Sequence, residues 1–249
     1  MVGKKNYIIG IRPLIEAIKT GKEVEKVLLK KGLKSIQYEE ILELLKLHNI
    51  SCQHVPIERL NRITQSNHQG VIAFISQITI YKLDSIIPFV FEQGRNPLIL
   101  LLDHITDVRN FGAICRTAEC VGVDAVVVPI SGAAQINADA IKASAGALYS
   151  LPVCKAGNLR ETVKYLKNCG LCIIAASEKA LDVYYDADFT VPAAIILGAE
   201  DKGISADLLK VADKQVKIPV SGSIESLNVS ASASVILYEA IRQRRILLS

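Results

Sequence analysis

The chain has 249 residues, half of them apolar, a net charge of +4 and no Trp. Its longest apolar runs, such as "PLILLL" and "VPAAIILGA", fall far short of the ~20 residues of a membrane span, and no apolar region long enough for a signal peptide follows the basic start "MVGKKNYIIGIRPL". Six cysteines at this length do not make a disulfide scaffold, so the composition points to a soluble, cytoplasmic protein of one large or two small domains.

The charge is unevenly spread. Residues 1–77 carry a balance of +5, residues 78–97 balance to zero, and residues 98–249 carry −1. A basic stretch such as "KVLLKKGLK" can steer toward a polyanion, although most such runs are simply solvated surface.

Residues 1–77 alternate helix and strand. "RPLIEAIKTG" reads as a helix with Pro13 in its first turn and Gly21 just past its end. "VEKVLLKK" reads as a strand. "SIQYEEILELLKLHNI" reads as an amphipathic helix with Ser35 as N-cap. "SCQHVP" and "GVIAFIS" are strands around a helical turn, "IERLNRI", and "TQSNHQG" is a polar loop ending in Gly70. Residues 78–97, with Pro88, Gly94 and Pro97, read as a partly helical linker.

From Leu98 the alternation strengthens. "LILLLD" is a nearly all-apolar strand, as in a parallel sheet covered on both faces. A helix from about Asn110 to Val121, strand "AVVVP", helix "LRETVKYLKN", strands "LCIIAAS" and "AAIILG", helix "SADLLKVA", strand "QVKIPV" and a final helix follow. This is an open α/β sheet of about 150 residues, whose ligands are expected beyond the carboxyl ends of its strands. Cys169 and Cys172 have C-x-x-C spacing but straddle a helix end and a strand start, so they read as small buried hydrophobes rather than a redox pair. No second such pair and no histidine partner supports a zinc site; His48, His54, His68 and His104 are scattered.

Three strand-end loops hold the unusual residues. In "LDHITDVRNFGAICRTAECVG", Asn110 and Gly112 open a helix and Arg116 follows inside it. An Arg there reads either as surface charge or as a guanidinium aimed at a phosphate or a developing oxyanion. In "ILGAEDKGIS", Gly198 ends a buried strand where backbone can approach a ligand, and Glu200 stands near a helix start, a position the helix dipole favours. Ile204-Ser205 stands where a phosphate loop requires Lys-Ser/Thr, which excludes a nucleotide triphosphatase. In "IPVSGSIESLNVSASASVILYEAIRQR", Ile218, Pro219 and Val220 end a strand. Ser226, Asn228, Ser230, Ser232 and Ser234 then crowd a helix entrance. Capping and tight packing account for one or two of these serines, less easily for the whole run. No G-x-G-x-x-G follows a strand, and G-x-S-x-G is absent, so neither a conventional dinucleotide site nor a serine-hydrolase elbow is expected.

Taken together, "DVRNFGAICRTAECVGVDAVVVP", "ILGAEDKGIS" and "IPVSGSIESLNVSASASVILYEAIRQR" resemble, in order and spacing, the three motifs of the SpoU (TrmH-like) family of RNA ribose 2′-O-methyltransferases in the SPOUT superfamily. The first 77 residues, with "HQGV" near their end, resemble that family's RNA substrate-binding domain. "KASAGALYSLPV" resembles the branch acting on guanosine in large-subunit ribosomal RNA. The resemblance implies an α/β fold with a deep C-terminal trefoil knot, S-adenosylmethionine bound in the knot loops, and a homodimer. It places Gly198, Ile218 and Leu227 at the cofactor, and Asn110, Arg116, Glu200, Ser226 and Asn228 in the active site. Arg116 would clamp a phosphate and stabilise a developing alkoxide, Glu200 would orient Arg116 or a loop, and Ser226 and Asn228 would position ribose or cofactor. Asn110 is open to contribution from the partner subunit. Val108 and Asp201 depart from the family's usual proline and glycine, and "SASAS" replaces a run with Val and Gly. A 2′-hydroxyl target implies RNA and excludes DNA. The same motifs leave room for a transfer-RNA methyltransferase or a catalytically silent RNA-binding protein.

Overall fold

The computed structural model describes residues 7–33, 36–48, 50–223 and 226–246. Backbone contacts divide the chain into two compact units, Met1–Thr79 and Ile80–Ser249.

The first unit runs β1 (Tyr7–Ile9), α1 (Ile11–Lys19), β2 (Val24–Lys30), α2 (Ile36–Leu47), β3 (Ser51–Val55), α3 (Ile57–Ile63) and β4 (Val71–Ile75). The apolar periodicity located its helices and all its strands except β1, three residues too short to show a period. The expected cap at Ser35 lies outside the described residues. The sheet order is β1-β4-β2-β3, with β2 and β3 parallel and the other pairs antiparallel. One face packs Val27 and Leu29 of β2 against Leu14 and Ile18 of α1 and Ile41 and Leu45 of α2. The polar loop before β4 is held by His68. Its Nδ1 accepts from the Gly70 amide at 3.0 Å, and its Nε2 donates to Asn61 Oδ1 at 2.9 Å.

The second unit runs β5 (Ile80–Tyr81), α4 (Leu83–Glu92), β6 (Leu98–Asp103), α5 (Val108–Val121), β7 (Ala125–Pro129), α6 (Ala138–Ala143), β8 (Val153–Ala156), α7 (Leu159–Asn168), β9 (Cys172–Ala176), β10 (Asp182–Val183), β11 (Ala193–Gly198), α8 (Ala206–Val211), β12 (Lys214–Lys217) and α9 (Val229–Ile246). Its eight strands lie in the order β10-β12-β9-β11-β6-β7-β8-β5, and every neighbouring pair is parallel. Strand β6 is buried along its whole length, which is why it reads as a continuous apolar run rather than an alternation.

The segment expected as a linker is largely part of this unit. β5 pairs with β8, and Ile86, Ile87 and Val90 of α4 join the core with Ile99, Val127 and Val163. Pro88 suggested a break, but α4 runs through it, because helical spacing of the apolar residues gives the helix a face to bury. On the other side of the sheet α5 packs against α6 and α9, and α9 against β11. Near the carboxyl end of α9 the Arg244 guanidinium donates to the carbonyls of Phe189, Asn96, Pro97 and Val191 at 2.6–3.1 Å. Burial lowers its pKa. Cys169 caps the end of α7 and Cys172 begins β9; both are half-buried rather than buried. Desolvation raises the Cys172 pKa first of all, followed by Asp213, the reverse of an activated thiolate.

Candidate active site

β6 and β11 lie side by side in register, with Asp103 opposite Gly198 at their carboxyl ends. The chain leaves each strand into one of the unusual loops. After β11 it turns back at once: Gly203 donates its amide to the Ala199 carbonyl at 2.8 Å, with φ of +63°. A Cβ placed on Gly198 would lie 2.1 Å from the Gly203 carbonyl carbon and 2.3 Å from the Ile204 nitrogen. Residue 198 is therefore Gly because the returning backbone occupies the side-chain position.

Glu200 stands at the tip of this turn. Its Oε1 accepts from Asn110 Nδ2 at 3.3 Å, from the Val229 amide at 3.1 Å, and from Asn228 Nδ2. Asn228 Nδ2 also donates to Asn110 Oδ1 at 3.1 Å. One carboxylate thus ties together α5, the β11 loop and the entrance of α9. Asn110 is presented by a well-formed helix start, because Asp107 caps α5 by accepting from the Arg109 and Asn110 amides at 2.9 and 2.8 Å.

The serine-rich entrance resolves into distinct contacts. Asn228 Oδ1 accepts from the Ser230 amide at 2.9 Å, so Asn228 caps α9 while facing Glu200. Ser234 Oγ donates to the Ser230 carbonyl at 3.0 Å and meets Thr117 Oγ1 of α5 at 3.2 Å. Ser226 and Ser232 line a cavity. Small residues here let α9 approach α5 closely and leave hydroxyls at the cavity wall.

That cavity, about 230 Å³, opens beyond the carboxyl ends of β9, β11 and β12. Gly198, Ile218 and Leu227, the three positions expected at the cofactor, line it together with Ala176, Leu197 and Glu200. β12 ends at Lys217, so Ile218, Pro219 and Val220 lie past the strand rather than in it. Pro219 has no amide hydrogen for a ladder and holds its predecessor extended, freeing this backbone for the cavity wall. A second cavity of about 240 Å³ lies on the other side of Glu200. It is lined by Thr106, Asp107, Asn110, Asp201 and by His104, a residue that scattered sequence positions gave no reason to select. Glu200, Asp201, Ala199 and Val229 belong to both walls.

Arg116 is the expected site residue that the chain does not bring in. It is exposed and, among the described residues, makes no hydrogen bond or ion pair. Six residues after Asn110, it points about 120° away around α5 at 3.6 residues per turn. Within one chain Glu200 therefore orients its loop and the two asparagines, not Arg116.

Residues 97–238 match the SpoU rRNA Methylase family, and residues 7–81 match the RNA 2′-O ribose methyltransferase substrate-binding family. The TrmH-family protein YacO of Bacillus subtilis is 30% identical over 98% of both chains. Among solved structures, the SpoU methyltransferase AviRb from Streptomyces viridochromogenes in complex with AdoMet is 26% identical, with a TM-score of 0.62 over 98% of this chain and 96% of that one. The A. aeolicus TrmH/SpoU tRNA modifying enzyme is 30% identical, with a TM-score of 0.57 over 66% of this chain and 85% of that one. Motifs, fold and both family matches agree: the chain belongs to the SpoU/TrmH family of RNA methyltransferases.

Proposed function

We propose that this chain transfers the methyl group of S-adenosylmethionine to a ribose 2′-hydroxyl in RNA, with a guanosine of large-subunit ribosomal RNA as the target. The observation that carries this reading is the Glu200 junction, a single carboxylate in the wall of two cavities that accepts from the side-chain amides of Asn110 and Asn228 and from the Val229 amide.

The cavity beyond β9, β11 and β12 suits the cofactor. Backbone at Gly198 and Ile218 and the side chain of Leu227 would hold it, and the tight turn at Gly198–Gly203 keeps bulk out of the mouth. When bound, S-adenosylmethionine supplies a methyl group on a sulfonium, open to displacement by an oxygen nucleophile. The second cavity suits the ribose. Asn110 in its wall offers an amide to the ribose hydroxyls, Asn228 holds that amide in place, and Ser226 lines the cofactor cavity beside it. Holding two reactants in line accounts for much of such a rate. Arg116 serves as a phosphate clamp and stabiliser of the developing alkoxide.

Because Arg116 faces away from its own Asn110, we propose a homodimer in which the site is completed between copies. Tyr238 on α9 is 58% exposed and supplies apolar surface for a second copy. The family's knotted backbone belongs to the same reading, as does the basic first unit as the RNA-binding part, with residues 78–97 following it. Among the described residues no helix is long and apolar enough to cross a membrane.

The test is incubation of the purified protein with labelled S-adenosylmethionine and unmodified ribosomal and transfer RNAs, with Arg116→Ala alongside. Label in large-subunit RNA at a ribose that resists alkaline cleavage, absent with the variant, supports reaction and target. Label in transfer RNA alone keeps the reaction and replaces the target. Cofactor binding without label in either favours a silent RNA-binding protein.

A further inference from the structure

Asp103 is the one carboxylate in the buried class among the described residues, 4% exposed at the end of an otherwise apolar strand. A buried carboxylate costs desolvation and persists where hydrogen bonds hold it. Its Oδ2 accepts from the Ser205 amide at 2.7 Å. The Ser205 side chain makes no cap of its own on α8. Oδ1 lies 3.7 Å from His104 Nε2, with His104 in the left-handed region at φ +58°.

The placement matters more than the bond. Asp103 sits opposite Gly198 in the sheet, and its side chain reaches the residue just beyond the turn that leaves Gly198. Residues 199–204 are therefore pinned at both ends: at Gly198 by the returning Gly203 backbone, and at Ser205 by Asp103. Glu200 is carried on that pinned segment. A shift of its tip by about an ångström would break contacts to Asn110 and Val229 that already stand at 3.3 and 3.1 Å.

We propose that Asp103 is a positioning residue for methyl transfer: by holding the Ser205 amide it fixes the 199–204 turn and thereby places Glu200 between the two cavities. The proposal rests on the methyltransferase reading above. It assigns Asp103 no contact with either reactant.

The experiment compares full-length wild type, Asp103→Ala, Asp103→Asn, Glu200→Ala and the Asp103→Ala/Glu200→Ala double variant. Hydrogen exchange at the Ser205 amide, cofactor affinity by calorimetry, and kcat and KM on the RNA that the wild type methylates are measured for each. Asp103→Ala is expected to exchange faster at Ser205. It should lose about tenfold or more in kcat, as for loss of a preorganising group, with KM for RNA within about threefold. Asp103→Asn keeps an acceptor oxygen for Ser205 and is expected to recover most of that loss. On the Glu200→Ala background the Asp103→Ala change should cost little more, because residues acting as a unit are non-additive. Full activity of Asp103→Ala, unchanged Ser205 exchange, or a loss that multiplies with that of Glu200→Ala overturns the proposal. If Asp103→Ala does not fold, Ser205→Pro carries the test: it removes the donor amide at a φ of −58° that proline adopts, and a kcat equal to wild type sinks the proposal. A wild type that methylates no RNA sinks the methyltransferase reading instead, and unchanged Ser205 exchange in Asp103→Ala would then overturn the positioning role separately.

Discussion

The two helix entrances at the candidate site are capped in different ways. α5 is capped from within its own sequence: Asp107 accepts from amides two and three residues ahead. α9 is capped partly by its neighbour Asn228 and partly by Glu200, whose oxygen reaches the Val229 amide from 29 residues upstream. A local cap stabilises a helix and reports little about chemistry. A distant carboxylate at a helix entrance holds two loops in one geometry, and here those loops form the walls of both cavities.

The largest effect should follow from breaking the distant cap. Glu200→Ala leaves the Val229 amide and two asparagine amides without their shared acceptor. It should lower the single-turnover rate by about 10²–10³, the range seen on removing a preorganised polar group. The loss of stability, read from urea unfolding, should be about 1–3 kcal/mol for donors left unpaired. A variant with normal turnover would reduce the junction to a structural tie.

Arg116→Ala sharpens the contrast from the other side. Arg116 has no partner within the described chain, so unfolding free energy should change by no more than about 0.5 kcal/mol. The rate should fall by about a hundredfold, measured with labelled cofactor on RNA. A large stability loss with normal turnover would mean that the exposed guanidinium serves the fold.

Gly198→Ala tests the turn that carries Glu200. The added methyl collides with the Gly203 backbone, a clash of the overpacking kind that costs about 1–3 kcal/mol. Cofactor affinity should fall with it, and calorimetry showing wild-type affinity would remove this cavity as the cofactor site. Asp107→Ala should have the smallest effect. Loss of an N-cap costs about 1 kcal/mol, and turnover should stay within a fewfold, since Asn110 keeps its side-chain contacts. A collapse of activity would show that the local cap also serves the site.

Much of the site was legible because its residues stand out chemically. Gly198 ends an apolar strand, Glu200 follows it, and the serine run marks a helix entrance. Ile218 and Leu227 came only through the family resemblance, since nothing in their residue type points to a ligand. His104 and Asp103 were missed. A histidine after an apolar strand and an aspartate at its end look ordinary until the neighbouring strand, almost a hundred residues later, brings the 199–205 loop beside them.

Sequence by itself determined the alternating elements, the fully buried β6 and the charge division between the first 77 residues and the rest, because periodicity, burial and net charge are local or additive properties. It also singled out the three strand-end loops that meet at Glu200, through residue types that a plain core does not need. The tertiary structure decided that α4 belongs to the second core and that Glu200 joins Asn110, Asn228 and Val229. Both depend on strand order and on which elements pack together, which are set by contacts between residues far apart in the chain.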